Sequence, residues 1–298
     1  MRYLCLADLH LTGDKPECRM PEENWMGVLD DKMSQVNRTA KDADAVILAG
    51  DIFDSWRNTD FAFLNWAMSW FREIRKATRT NKIYTIAGNH DTPYHSYDID
   101  AISRSPYMTL VEAGLFHDLK MSPVPEMSAY IYTDKGEMPE SDASMCVAHK
   151  GLYQKKKPFP GADESGNVEQ FVKLLHKNIK YVVAGDYHTP FTATVEGVLV
   201  LNCGSMIRRR ADQLTYEPAM HIMDTETCTV EKIPFNLKLP IRRDYIDVAK
   251  EQRNMLDELV GSIEGDFEAA LNYRDNFENM VADLPDKAEI MKLFNSMM

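Results

Sequence analysis

Four apolar runs in this chain each stop at a short polar segment made of metal-ligand residue types, and this repetition constrains the fold more than any other feature. Ile83-Tyr84-Thr85-Ile86-Ala87 leads into Gly88-Asn89-His90-Asp91. Tyr3-Leu4-Cys5-Leu6-Ala7 leads into Asp8-Leu9-His10, and Ala45-Val46-Ile47-Leu48-Ala49 leads into Gly50-Asp51-Ile52-Phe53-Asp54. Tyr181-Val182-Val183-Ala184 leads into Gly185-Asp186-Tyr187-His188. A buried strand that ends by presenting carboxylates, imidazoles and an amide is holding polar groups at a sheet edge, where open α/β sheets place their ligands.

The stretches between these runs supply helices. Residues 25–41 carry Met26, Leu29, Met33 and Val36 at helical spacing, and residues 60–77 carry Phe63, Leu64, Ala67, Trp70, Phe71 and Ile74. Strand, helix, strand, helix, strand is the pattern of a layered α/β domain. Residues 121–140 read as loops and short strands, Ser144-Met145-Cys146-Val147-Ala148 as a further strand ending at His149, and residues 168–177 as a helix. Residues 220–224 and 229–234 read as an antiparallel pair around Asp224-Thr225-Glu226-Thr227, which predicts a second sheet. The fold class expected is therefore α/β (α+β), a two-sheet β-sandwich flanked by helices. Composition turns acidic and helix-prone after Pro240, so residues 1–240 are expected to form the main domain and 241–298 a helical appendage.

The residue types define a chemistry. Side chains alternate along a strand, so Asp8 and His10 are expected on one side, as are Asp186 and His188. Asp51 can bridge two cations, while Asn89, His149, Asp186 and His188 add an amide, imidazole and carboxylate donors. This mixture suits manganese, iron or zinc better than calcium. Two such ions about 3.5–4 Å apart form the clamp used to hydrolyse phosphate esters. His90 is not needed as a ligand and is expected to face the substrate and stabilise or protonate the leaving oxygen, with Asp54 and Asp91 orienting histidines from behind. His95, His117, His176 and His221 lack such a setting and read as structural or surface residues.

Taken together, Asp8-x-His10, Gly50-Asp51-x-x-Asp54, Gly88-Asn89-His90-Asp91, a lone His149 and Gly185-x-x-His188 resemble the calcineurin-like metallophosphoesterases over residues 1–235. Within that superfamily the chain is most similar to the SbcD-type DNA repair exonucleases, including versions carried by bacteriophages. Asp8-Leu9-His10-Leu11, Gly50-Asp51-Ile52-Phe53-Asp54, and Gly204-Ser205 followed by Arg208-Arg209-Arg210 carry this finer likeness. The resemblance implies two manganese ions, with magnesium, iron or zinc as alternatives. It places one on Asp8, His10, Asp51 and His188 and the other on Asp51, Asn89, His149 and Asp186. It implies hydrolysis of DNA phosphodiester bonds by water activated between the ions, an SMC-like ATPase partner (SbcC-like) and a possible homodimer. Where the family usually has Gly-His-x-His, this chain has Asp186, a harder and charged donor that favours manganese or magnesium.

Composition limits the alternatives. The formal net charge is −12, which is not the footprint of a protein that grips nucleic acid by bulk charge. Basic residues nevertheless cluster at Lys155-Lys156-Lys157 and Arg208-Arg209-Arg210, and the latter, with Tyr187, are candidates for substrate contact. The five scattered cysteines fit buried small hydrophobes better than a disulfide framework or a zinc site. No apolar run approaches the roughly 18 residues that span a bilayer, and the first residues lack a signal-peptide layout, so a cytoplasmic protein is expected. Two competing functions are a phosphodiesterase or phosphatase for small substrates such as cyclic nucleotides, and a non-catalytic interaction module on the same fold.

Overall fold

The computed structural model describes residues 1–236 except 17, 18, 20, 21, 58, 59, 139, 140, 156, 158–163, 210–212, 214 and 215; beyond 236 it describes Lys287 alone. The expected appendage at 241–298 therefore lies outside the described residues, as do Arg210, Lys156, Cys18 and the side chain of His95.

Two sheets form the centre. The first has strand order β11-β10-β1-β2-β3-β4, built from β1 (Arg2–Leu6), β2 (Ala45–Leu48), β3 (Ile83–Thr85), β4 (His117–Asp118), β10 (Ala219–Asp224) and β11 (Thr229–Pro234). The second has order β5-β6-β7-β9-β8, built from β5 (Met127–Tyr130), β6 (Met145–His149), β7 (Tyr181–Gly185), β8 (Phe191–Val195) and β9 (Val198–Asn202). Within the first sheet β1, β2, β3 and β4 are parallel, and within the second β5, β6, β7 and β9 are parallel. Their C-terminal ends thus share an edge in each sheet, and a parallel bridge between Ala7 and Ser205 joins the two sheets there.

Alternation along the strands sorts the core into layers. Leu4, Leu6, Val46 and Leu48 pack against Leu29, Met33 and Val36 of α1 (Trp25–Ala40) and Phe63, Phe71 and Ile74 of α2 (Phe61–Ala77). Tyr3, Cys5, Ala45 and Ile47 face the other way and meet Met145, Val147, Tyr181, Val183 and Leu201 of the second sheet. The outer face of that sheet, with Cys146, Ala148, Val182 and Ala184, is covered by Val168, Phe171 and Val172 of α5 (Val168–Leu174). Both faces of the central strands are covered, which is why they read as unbroken apolar runs. Two shorter helices, α3 (Ile99–Ile102) and α4 (Pro106–Glu112), lie between β3 and β4 in the chain.

Helix starts follow capping chemistry. The Asp60 carboxylate accepts from the Ala62 and Phe63 N–H groups at the start of α2, and Asn24 and Asn167 do the same for α1 and α5. The third helix expected from sequence is shorter than its apolar pattern, ending at Leu174, with Leu175 already in an extended conformation. The hairpin of β10 and β11 also differs from expectation. It does not found the second sheet; β10 pairs antiparallel with β1 and extends the first. The second sheet arises instead from β5 to β9, whose edge strand β8 supplies its antiparallel pairing. No described helix is long and apolar enough to cross a membrane.

Candidate metal centre

The seven predicted ligand residues come from five strand ends, those of β1, β2, β3, β6 and β7, and the chain leaves three of those strands by an abrupt turn. Asp8, His10, Asp51 and Asp186 all have positive φ (49°, 44°, 52° and 84°). Among the described residues they make up half of the eight non-glycine residues in that conformation. Left-handed backbone at non-glycine residues is uncommon and gathers at functional sites. The expected two-residue alternation is therefore not what aims these side chains, because β1 ends at Leu6 and β7 at Gly185. The turns are held by backbone bonds instead: Asp8 N–H donates to Gly50 C=O at 3.1 Å and His10 N–H to Asp51 C=O at 3.0 Å.

Three groups of potential ligands result: Asp8, His10 and His188; His10, Asp51 and His90; and Asp8, Asp51 and His149. Asp8, His10, Asp51 and His149 are each at most 2% exposed. The Nε2 atoms of His10 and His188 face each other at 3.1 Å. His10 Nε2 lies 3.7 Å from Asp51 Oδ2, and His149 Nε2 lies 3.4 Å from Asp51 Oδ1 and 3.0 Å from Asn89 Oδ1. With His149 Nδ1 bonded to the Ala49 carbonyl at 2.8 Å, the Nε2 side of the ring is the one turned to these oxygens. Lone pairs converging on lone pairs need positive charge between them, so the residues fit divalent cations.

Titration behaviour shows the same convergence. Burial, with Asp51 and Asp186 nearby, holds the Asp8 carboxyl well above the usual carboxylate range, and His149 offsets this only in part. Burial would also raise Asp51, but His149 and His10 override it and hold that carboxyl low. Burial disfavours the charged His149 ring, yet the carboxylates of Asp51, Asp186 and Asp8 keep it well above its ordinary value.

Two close approaches require glycine. Gly50 has φ +87°, and a Cβ on it would overlap His149 Nδ1. A Cβ on Gly88 would overlap Asp51 Oδ1.

Several predicted residues occupy other roles than expected. Asp91 meets no histidine: its carboxylate accepts the backbone N–H groups of Ile52, Phe53 and Gly88 at 2.9–3.1 Å, tying the β2 and β3 loops together. Burial and then the Asp51 charge raise its carboxyl to about 7. Asp186 joins none of the three groups; its side chain is exposed beside Gly151, and its N–H donates to both Asp8 carboxylate oxygens at 2.9 and 3.1 Å. His90 donates from Nδ1 to the Asp54 carbonyl at 2.6 Å, stands edge-on to His10 at 4.7 Å and is 39% exposed at its side chain. Asp54 Oδ1 pairs with Arg209 Nη1 and lies 3.6 Å from His10 Nδ1. Burial opposes its ionisation, and His10 and Arg209 outweigh burial to hold it low. Arg208 turns away and donates to the Tyr216 carbonyl, while Tyr187 is half-buried, its carbonyl accepting from Asn202. Lys155 is exposed, and Lys157 pairs with Glu164.

Two contributors carry no sequence signal. Gln213 lies 3.1 Å from His188 Nδ1 and accepts the Arg209 N–H at 2.7 Å. Tyr132 stands edge-on to His149 at 6.2 Å and bonds to Thr92. Neither belongs to a motif, and each reaches the centre only through tertiary folding.

No curated protein matches the chain. Among solved structures it is similar to a novel archaeal phosphodiesterase, at 15% identity over 78% of this chain and 99% of that one, with a TM-score of 0.43. It is also similar to a dimetal phosphatase from Danio rerio, at 12% identity over 79% and 99% with a TM-score of 0.44. A single-site variant of Vps29 from Entamoeba histolytica gives 14% identity over 79% and 100% with a TM-score of 0.33. The model for the calcineurin-like phosphoesterases matches residues 1–190, the stretch that supplies every one of the clustered ligands, and the chain belongs to that family of metal-dependent phosphoesterases.

Proposed function

We propose that this protein hydrolyses phosphodiester bonds in DNA with two divalent ions, manganese foremost. The carrying observation is the convergence of Asp8, His10, Asp51, His149 and His188 at one buried edge, with His90 on its exposed side. Asp8, His10, Asp51 and His188 would hold one ion, and Asp51, Asn89 and His149 the other, with Asp186 completing it by a side-chain rotation. When bound, the ions supply Lewis acidity toward the phosphoryl oxygens and the attacking water.

The chain's own residues do the rest. The Asp54 carbonyl keeps the His90 Nδ1 proton in place, so an imidazolium at His90 gives its Nε2 proton to the leaving oxygen. Of the two described arginines of the triplet, Arg209, held by Asp54 beside His10, is the one that supports a phosphate contact. An SMC-like ATPase remains the proposed partner, tested by co-purification with the full chain.

Hydrolysis of a small phosphodiester is the second reading, and the net charge of −12 favours it. Linear double-stranded DNA, single-stranded DNA and bis-p-nitrophenyl phosphate separate the two when assayed with manganese against Asp51→Ala. DNA products above that blank establish the nuclease; turnover of the small ester alone establishes the second reading. His90→Ala is expected to lower kcat about 100-fold while elemental analysis still finds bound metal. Unchanged turnover in that variant removes His90 from the mechanism.

A further inference from the structure

The loops that carry the metal-site residues continue past the centre and wall a second concavity. Gly13 and Asp14 follow His10, Arg57 follows Asp54, and Phe63 and Trp66 of α2 line the same space, about 440 Å³ in volume. That is within the range of about 300–1,000 Å³ typical of small-ligand sites. Asp54 itself lines it, so an occupant lies against the residue that fastens His90 and Arg209.

The lining selects what can enter. Phe63 and Trp66 are stacked, with centroids 5.1 Å apart and planes 24° from parallel. The Trp66 indole N–H donates to Asp30 Oδ1 at 2.7 Å, which fixes the ring. Asp14, Asp54 and Asp60 place three carboxylates around the space, which excludes a phosphate from the interior and favours a neutral group with N–H donors. The rim carries the opposite sign. The Arg57 guanidinium lies 4.2 Å from the Trp56 ring and 5.3 Å from the Tyr94 ring, and its Nη2 donates to the Tyr94 hydroxyl at 3.1 Å. Among the described residues no carboxylate forms an ion pair with it. Tyr94 is 76% exposed and has φ 53°, four residues after His90. An aromatic ring held in solvent on a strained backbone beside an arginine is a stacking surface for an anionic aromatic ligand.

We propose that this cavity takes the base and sugar of the nucleotide whose phosphate is cleaved. The base lies against Phe63 and Trp66, its N–H groups meet Asp14, and Arg57 contacts a phosphate oxygen at the rim. The proposal rests on the phosphodiesterase reading and adds the chemical class of the esterified group, a nucleoside.

The test compares thymidine 5′-(p-nitrophenyl phosphate) with methyl p-nitrophenyl phosphate, two esters that share a leaving group and differ in the nucleoside. Ala62→Trp, which fills the cavity from the exposed first turn of α2, is expected to lower kcat/KM for the thymidine ester about tenfold. The methyl ester is expected to stay within about twofold of native. Equal losses on both esters, or none on the thymidine ester, overturn the proposal. If the native protein with manganese cleaves neither ester, the phosphodiesterase reading has failed on its own. Equilibrium dialysis of thymidine 5′-monophosphate then decides the cavity. Binding that Ala62→Trp weakens about tenfold supports it; equal binding, or none to either protein, overturns it.

Discussion

Gly50 shows how narrowly single positions are specified at the centre. Its φ of +87° is open to glycine, and a side chain there would press on the ring of His149, whose Nδ1 is anchored to Ala49. Gly50→Ala is therefore expected to cost about 1–3 kcal/mol in denaturant unfolding and to displace His149. Manganese stoichiometry by elemental analysis then falls below native; full metal loading in a stably folded variant contradicts the steric argument. Gly50, Asp51 and His149 were all legible in sequence, because a glycine followed by ligand types after an apolar run has few other uses. The strained φ of Asp8, His10, Asp51 and Asp186 was not legible, since local pattern predicts alternation and only the closing of loop on loop forces the turn. Asp91 is the clearest instance: it looks like a histidine's partner in the chain, yet three backbone N–H groups from two loops claim its carboxylate.

At the scale of elements, β10 lies between β1 and β11, and this placement buries His221 to 3% exposure, opposite Cys5 and Lys232. Burial, with the Lys232 charge next, pushes the imidazole down from 6.5 to about 4. The unfolded chain then binds a proton below pH 6.5 that the folded chain refuses until about pH 4. This contribution to stability is fully present above 6.5 and is lost as pH falls through that window. Relative to native, His221→Leu is expected to gain about 3 kcal/mol between pH 7 and pH 4. Urea unfolding at the two pH values checks this, and a constant difference refutes it. The hairpin that contains β10 was readable as a hairpin from its alternation and its Asp224-to-Thr227 turn. Its membership of the first sheet was not, because an antiparallel pair says nothing about which third strand completes its edge.

For the whole molecule, two buried acidic residues, Asp8 and Asp51, sit among imidazoles at an edge where two sheets meet. Bound cations relieve the repulsion, so folding and metal binding are linked. Manganese at about a hundredfold excess over its Kd is expected to stabilise the fold by about 2.7 kcal/mol, raising Tm by about 5 °C or more. EDTA is expected to reverse this, as read by calorimetry, and Asp51→Ala to abolish the response. A metal-independent Tm in the native protein would argue against a buried dinuclear centre.

The sequence by itself pointed to the apolar strands that end at Asp8, Asp51, Asn89, His149 and Asp186, and to the first two helices. Apolar runs covered on both faces and carboxylates placed at their ends are local patterns, written within a few residues. The tertiary structure decided which strand ends meet, how Asp54 joins His90 to Arg209, and that Gln213 and Tyr132 stand beside the histidines. Those relations span up to about 200 residues of chain. They follow from the packing of two sheets and the hydrogen bonds that close their loops, which no short stretch of sequence contains.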